Sequence, residues 1–250
     1  MAIQSTLDAL HALRLHGMRQ ALEQQLVQTT TYAELPFDQR LGNLVDAETT
    51  FRDNRRLNRI LKVARLKEKA MPEDLIYRGD RNLDRNLVSD LLTCQWVAHH
   101  KNLILTGPTG TGKTWIACAL GMQAARMGYP VLYHRISLLL EAFGIAHADG
   151  SITRLRAQLG KAELLILDDF GLAPFTPRGK SDLLNLLDDR IGSGSTVIAG
   201  QLPMKGWHDF IDDPAVADAI LDRLIHSAHK IQLKGESMRK QQVKDAGETA

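Results

Sequence analysis

The chain has 250 residues, 44% of them hydrophobic and 24% charged, a balance that fits a folded globular protein and excludes a disordered or fibrous one. Its formal net charge is only +2, yet residues 51–69, FRDNRRLNRILKVARLKEK, hold eight Lys or Arg against two acids, so this segment carries +6 and the remainder −4. No stretch approaches the roughly 18 apolar residues of a membrane span, and MAIQSTLDAL has no basic leader before an apolar core, so a cytoplasmic protein with no membrane contact is expected.

The first 70 residues read as a small all-α domain. Leu15, Met18, Leu22 and Leu26 recur at spacings of three and four, the single apolar stripe of an amphipathic helix. A second helix is expected from Pro36 and Phe37 through Leu41, Leu44 and Val45, and a third over the basic segment. In that third helix Leu57, Ile60, Leu61 and Ala64 fall on one side, with Arg52, Arg55, Arg56, Arg59 and Lys62 roughly opposite. Residues 71–86 contain Pro72, Gly79 and a polar run, and read as a linker. A second domain is expected over 87–240 and a polar tail over 241–250.

After the linker comes a helix through Leu91, Leu92, Trp96 and Val97. Five short apolar runs follow: NLILTG (102–107), PVLYH (130–134), ELLILDD (163–169), STVIAG (195–200) and HKIQL (229–233). Helical patterns lie between them. Apolar strands alternating with helices predict an α/β fold, a parallel sheet covered on both faces. Cys94 and Cys118 show no metal-ligand spacing and read as buried thiols of a reducing compartment.

The first strand runs into Gly107, Pro108, Thr109, Gly110, Thr111, Gly112, Lys113 and Thr114, the G-x-x-x-x-G-K-T pattern between strand and helix. Glycines let such a loop curl its N–H groups onto phosphate oxygens, and the following helix adds its positive end. Lys113 is positioned to reach the β- and γ-phosphates of ATP, and the Thr114 hydroxyl to ligate Mg²⁺. The third run ends in Asp168 and Asp169, where a parallel sheet presents its ligand-binding groups. Asp168 is the candidate to hold Mg²⁺ through water, and Asp169 to orient the attacking water. Small-molecule kinases share these parts, and two acids at a strand end also suit a helix cap.

The phosphate loop, LLILDDFG, STVIAGQLP and ILDRLIHSAHKIQL together resemble the AAA+ ATPases of the DnaC/DnaA branch, and within it the IstB-like helper ATPases of insertion-sequence transposition. LRLHGMRQALEQQL and RRLNRILKVARLK are similar to that family's helical leader. The resemblance implies a P-loop NTPase (AAA+) core with a five-stranded parallel sheet between helices, ATP and Mg²⁺ as cofactors, and three partners: double-stranded DNA, a transposase, and further copies of the chain. It also implies roles for single residues. Gln201 takes the place of a polar residue that senses the γ-phosphate, and Arg223 that of an arginine finger reaching a neighbouring subunit's nucleotide; the alternatives are an ordinary loop glutamine and an ion pair of Arg223 with Asp222 or Asp218. Arg239 is a candidate phosphate or DNA contact, or part of a solvated tail.

In the same branch a helix between the second strand and the acidic strand lines a DNA path, which singles out residues 136–160 and, around them, Arg135, Arg154, Arg156 and Lys161. Two departures stand out. The family often has Glu where Asp169 stands, so slow hydrolysis is expected, and only about ten residues follow ESMRK, too few for the helical lid of many other AAA+ proteins, a lid that the DnaC branch also lacks. His99, His100, His208, His226 and His229 read as structural or solvent-facing. The basic helix has the composition of a phosphate-backbone contact, Arg-rich and without base specificity, although a solvated face or an acidic protein partner would fit it as well. A helicase loader, a phosphotransferase and a non-hydrolysing DNA scaffold remain as alternatives to the transposition helper.

Overall fold

The computed structural model describes residues 2–77, 79–226 and 228–238. The chain divides into two compact units, Met1–Arg59 and Ile60–Ala250. The division falls between Arg59 and Ile60, whereas the sequence placed the end of the helical domain at residue 70.

The first unit is built from α1 (Ala2–Ala12), α2 (His16–Val27), α3 (Thr29–Ala33) and α4 (Phe37–Ala64), which runs past the unit's last residue. The two helices expected across the second half of this region are one helix of 28 residues. Residues 46–50, DAETT, contain neither Gly nor Pro, so nothing breaks the backbone there. The helix stops where Arg65 turns left-handed, with φ 52°. Along its second half, Leu57, Ile60 and Leu61 are half-buried and Ala64 buried, while Arg52, Arg55, Arg56, Arg59 and Lys62 are exposed, as the helical phase requires.

The stripe expected on α2 is not what that helix buries. Leu15 precedes the helix, Leu26 is 41% exposed, and Gly17 and Gln25 are the buried positions. Their partners come from α4. Glu48 accepts the backbone N–H groups of Gly17 (2.7 Å) and Met18 (3.2 Å), supplying an anionic acceptor at a helix N-terminus. Gln25 donates to the Arg40 carbonyl at 3.0 Å and accepts from Arg40 Nε at 3.2 Å. A Cβ on Gly17 would lie 2.4 Å from the Ala47 carbonyl oxygen, so only glycine permits this approach.

In the second unit the end of α4 and residues 65–84 lead into α5 (Arg85–Leu92) and α6 (Gln95–Ala98), separated where Cys94 takes a left-handed backbone, φ 58°, so the one helix expected here is two. Then follow β1 (Leu103–Thr106), α7 (Lys113–Arg126), β2 (Val131–Arg135), α8 (Ile136–Ala148), α9 (Ile152–Gly160), β3 (Leu164–Phe170), α10 (Pro177–Arg190), β4 (Ser195–Gly200), α11 (Trp207–Ile211), α12 (Pro214–Ile225) and β5 (His229–Gln232). All five strands lie within the runs marked in the sequence or one residue beyond them. They pair in parallel in the order β2-β3-β4-β1-β5. Helix α7 covers one face; Gly121 brings it close, since a Cβ there would meet Ile166 at 2.9 Å. On the other face Leu139, Phe143, Leu183, Leu187, Ile220 and Leu224 from α8, α10 and α12 pack on Ile104, Leu165, Leu167 and Ile198.

Residues 71–83 are packed into this unit rather than strung out as a spacer. Pro72, Leu75, Arg81 and Leu83 are buried, and Glu73 pairs with Arg126 of α7. Arg190, 3% exposed, donates to the carbonyls of Ala162 (2.9 Å), Leu159 (3.2 Å) and Ser195 (2.6 Å), tying the end of α10 to the starts of β3 and β4. Burial pushes its pKa down to about 10, which leaves it charged at neutral pH. Cys94 and Cys118 are buried free thiols, each pushed up to about 11 by burial. No helix among the described residues is long and apolar enough to cross a membrane.

Burial alone would raise the Glu48 pKa, but the hydrogen bonds from Arg52, Met18 and Gly17 outweigh it and hold the carboxyl below its usual value. A lowered folded pKa means that this stabilisation is full above the ordinary Glu range and is lost as pH falls through the folded value. Glu48→Ala leaves two amides without their acceptor and is expected to cost about 1–3 kcal/mol, read as lost hydrogen-exchange protection at the start of α2. The variant should also lose less stability than the parent between neutral pH and the acid limb below the Glu range.

Candidate nucleotide-binding site

The loop between β1 and α7 has little room for side chains. Gly107 (φ 147°) and Gly110 (φ 83°) both require glycine: a Cβ on Gly107 would lie 2.5 Å from the Leu233 carbonyl oxygen, and one on Gly110 2.2 Å from the Ser237 hydroxyl. Pro108 and Thr109 form the exposed crest, Thr111 is buried with its hydroxyl donating to the Pro108 carbonyl at 2.9 Å, and Gly112 caps α7. Segments from the two ends of the unit flank the loop. Arg81 donates to the Thr111 carbonyl at 2.9 Å, and the Met238 N–H donates to the Gly110 carbonyl at 2.9 Å.

The first N–H groups of α7 have no acceptor within the helix and sit at its positive end, so the loop is an anion cradle. Lys113 Nζ folds back to donate to the carbonyls of Gly107 and Pro108, both at 2.8 Å. Burial lowers its pKa, while Asp168 and Asp169 pull it upward. The ammonium is thus held at the cradle, and two carboxylates favour its charged form.

At the end of β3 the pairing with β4 slips. Leu167 pairs with Ile198 and Phe170 with Gly200, so β3 carries one extra residue between those pairs. Asp169 absorbs it with φ 63°. A Cβ on Gly200 would lie 2.4 Å from the Phe170 carbonyl, so the close approach of the two strands at the bulge needs a glycine. Asp168, 1% exposed, faces α7 and accepts Thr114 Oγ1 at 2.7 Å. The Tyr133 hydroxyl of β2 donates to the same Asp168 oxygen, also at 2.7 Å. Burial, and next the bond to Asp168, push the Tyr133 pKa upward, so the phenol remains a donor. Asp169 Oδ2 lies 3.6 Å from Arg135 Nε.

The fold therefore assembles the loop 107–112, Lys113, Thr114 and Asp168 at the carboxyl edge of the sheet, with Asp169 beside Asp168. Gln201, exposed, directly follows β4, the strand between β1 and β3. The other candidates lie elsewhere. Arg223 of α12 pairs with Asp188 of α10 and donates to the Ala219 carbonyl at 2.8 Å; its acid is neither Asp222 nor Asp218. Arg156 pairs with Asp189 at 2.8 Å, Arg52 with Glu48 at 2.7 Å, and Arg154 is exposed on α9. Arg239 lies outside the described residues. Sequence reasoning missed Tyr133 and Arg81: the first sits in an apolar run and the second in a polar one, and neither belongs to a motif. The one available signal was that β2 would lie beside the acidic strand and carry a lone hydroxyl near its end.

Comparison with known proteins agrees with this geometry. The sequence profile of the IstB-like ATP binding protein family matches residues 8–246. The insertion sequence ATP-binding protein y4pL of Sinorhizobium fredii is 44% identical over 242 residues, 97% of this chain and 98% of its own. The insertion sequence IS1162 ATP-binding protein of Pseudomonas fluorescens is 50% identical over 204 residues, 81% of this chain and 88% of its own. Among solved structures, AMPPCP-bound DnaA from Aquifex aeolicus superposes with a TM-score of 0.60 at 19% identity, over 74% of this chain and 57% of DnaA, and shows the shared AAA+ P-loop fold.

Gly110→Ala places a methyl against Ser237 in a left-handed conformation. The strain of about 1–2 kcal/mol is borne by the folded chain and should lower the melting temperature by about 2–4 °C. Relieving the contact with Ser237 displaces the loop, so nucleotide binding should also weaken, roughly tenfold in a fluorescence titration.

Proposed function

Because the chain belongs to the IstB-like ATP-binding family, we propose that this AAA+ ATPase assembles on duplex DNA in its ATP-bound state and helps a transposase select or capture its target. The observation that carries the nucleotide part is the meeting of the phosphate loop with the acidic strand: Thr114 and Asp168 in contact, and Lys113 held at the loop. Thr114 and Asp168 offer hard oxygen donors 2.7 Å apart, the donor type that Mg²⁺ takes, and they are the residues that would hold it, Thr114 directly and Asp168 through a water. Bound there, Mg²⁺ would offset charge on the phosphate oxygens. Lys113 would bind the terminal phosphates, Asp169 would orient the attacking water, and Gln201, after β4, would report on the γ-phosphate.

An arginine supplied from a neighbouring copy is worth about 10³–10⁵ in phosphoryl-transfer rate, and Arg223 is the residue proposed for it. In a single chain its partner is Asp188, so assembly would exchange that carboxylate for a neighbour's nucleotide. For DNA, the proposed contact is the exposed side of α4, with Arg55, Arg56, Arg59 and Lys62 beside Arg52, whose charge is shared with Glu48. Contacts of this kind neutralise phosphates and read no sequence. Arg154 is proposed as a further DNA contact; Arg156 would first have to leave Asp189. Association of the relatives with insertion sequences supports a transposase as the protein partner.

The experiment is sedimentation of the protein with labelled duplex DNA in ATP, in ADP and without nucleotide, with Lys113→Ala alongside. Large complexes that form only with ATP and never with the variant are the expected result; a nucleotide-indifferent monomer would overturn the reading. Arg55→Glu combined with Arg59→Glu should weaken duplex binding whatever the sequence. With about four phosphates engaged, the parent's log affinity should fall against log salt with a slope near −3.6, and the double variant's slope should be shallower by about two units. Arg223→Ala should leave nucleotide binding intact and lower DNA-stimulated hydrolysis at least ~10³-fold.

A further inference from the structure

We infer that Tyr133 is a positioning residue of the nucleotide site: its hydroxyl orients the Asp168 carboxylate and so sets how tightly the site takes the divalent cation that accompanies the nucleotide. The inference rests on the assignment of Thr114 and Asp168 to that cation.

The geometry begins with strand register. Strands β2 and β3 run parallel with Tyr133 opposite Ile166 and Arg135 opposite Asp168, so the phenol ring spans two residues along the neighbouring strand to reach the acid. Positions 166 and 168 share a face because side chains alternate along a strand, and that face is the one α7 covers. Tyr133 is 8% exposed and Asp168 1% exposed, so the bond between them is made away from water. Two hydroxyls from different elements, Thr114 of α7 and Tyr133 of β2, donate to one carboxylate oxygen at 2.7 Å each. Together they fix the rotation of the carboxylate about its last bond.

The tyrosine is not needed to fill the core, since Phe would occupy the same space between β2 and α7. Its hydroxyl is what needs explaining, because a buried polar group must find a partner and an apolar side chain would need none. The partner it has is the group on which the cation site depends. Partners outside a metal's first shell typically govern about 10–100-fold in its affinity, and Tyr133 acts on one of them, the carboxylate that would hold the cation through water. Thr114 cannot supply this alone. Once its oxygen faces a cation, its single hydrogen bond leaves the carboxylate free to turn about it, and Tyr133 removes that freedom from a rigid strand.

The test is Tyr133→Phe in the full chain, compared with the parent at a temperature where circular dichroism shows both fully folded. Binding of a fluorescent ATP analogue is titrated with Mg²⁺, and again in EDTA; ATP hydrolysis is measured over the same Mg²⁺ range. The expected result is a rise of about tenfold or more in the Mg²⁺ concentration that half-saturates both binding and hydrolysis, with nucleotide affinity in EDTA unchanged. A merely structural tyrosine would move both affinities together or neither, so an unchanged Mg²⁺ dependence, or an equal loss in EDTA, overturns the inference. Asp168→Asn separates the two levels of the argument. If the parent and Asp168→Asn show the same Mg²⁺ dependence, the cation assignment itself fails and the role of Tyr133 goes with it. If Asp168→Asn loses the dependence and Tyr133→Phe keeps it, only the role of the tyrosine fails.

Discussion

A parallel sheet has to keep water off both of its faces, and that requirement decides where this protein can do chemistry. Strands β1 and β4 are buried along their whole length and β3 along nearly all of it, so polar side chains find room only where the strands end. The order β2-β3-β4-β1-β5 then determines who meets at that edge. The loop after β1 and the acids of β3 are one strand apart, and the gap between them is filled by the end of β4. Helix α7 closes the arrangement, since Thr114 in its first turn reaches Asp168 across that gap.

Charge is distributed by the same logic. Helix α10 carries Asp188 and Asp189, each paired with an arginine from a different helix, Arg223 of α12 and Arg156 of α9, while its Asp182 is hydrogen-bonded to His147 of α8 at 2.8 Å. The two arginine pairs are partly exposed, and pairs of that kind contribute at most about 1 kcal/mol each. They are better suited to exchange than to permanent fastening. Arg190 of the same helix is different in kind: wholly inside, it is satisfied by carbonyls instead of an acid and cannot leave without stranding them.

The parts of this structure that could be read from the sequence are those governed by local chemistry. Continuous apolar runs between turns gave every strand, and the glycine-rich loop could be located because its spacing serves one purpose. Where the deciding partner lies far along the chain, the reading fails. The burial of Gly17 and Gln25 depends on Glu48 and Arg40, and an apolar stripe says nothing of either. The merging of two expected helices into α4 turned on the lack of any breaker in a polar stretch. The ion pairs of Arg156 and Arg223 come from residues more than thirty positions away. Tyr133 looked like core because, by volume, it is core; only its oxygen belongs to the site.

The backbone of Asp169 adds a selection rule of its own. An L-residue in a left-handed conformation is disfavoured by about 1–2 kcal/mol, and Asp and Asn are among the few side chains that visit it routinely. At φ 63° the bulge therefore admits a short polar residue and resists a longer one. Glu would gain one methylene of reach toward a water molecule but would have to unwind the bulge or bear the strain. Among homologues, then, the length of the acid here and the presence of the extra residue in β3 should vary together: a regular strand where the acid is long, a bulged one where it is short.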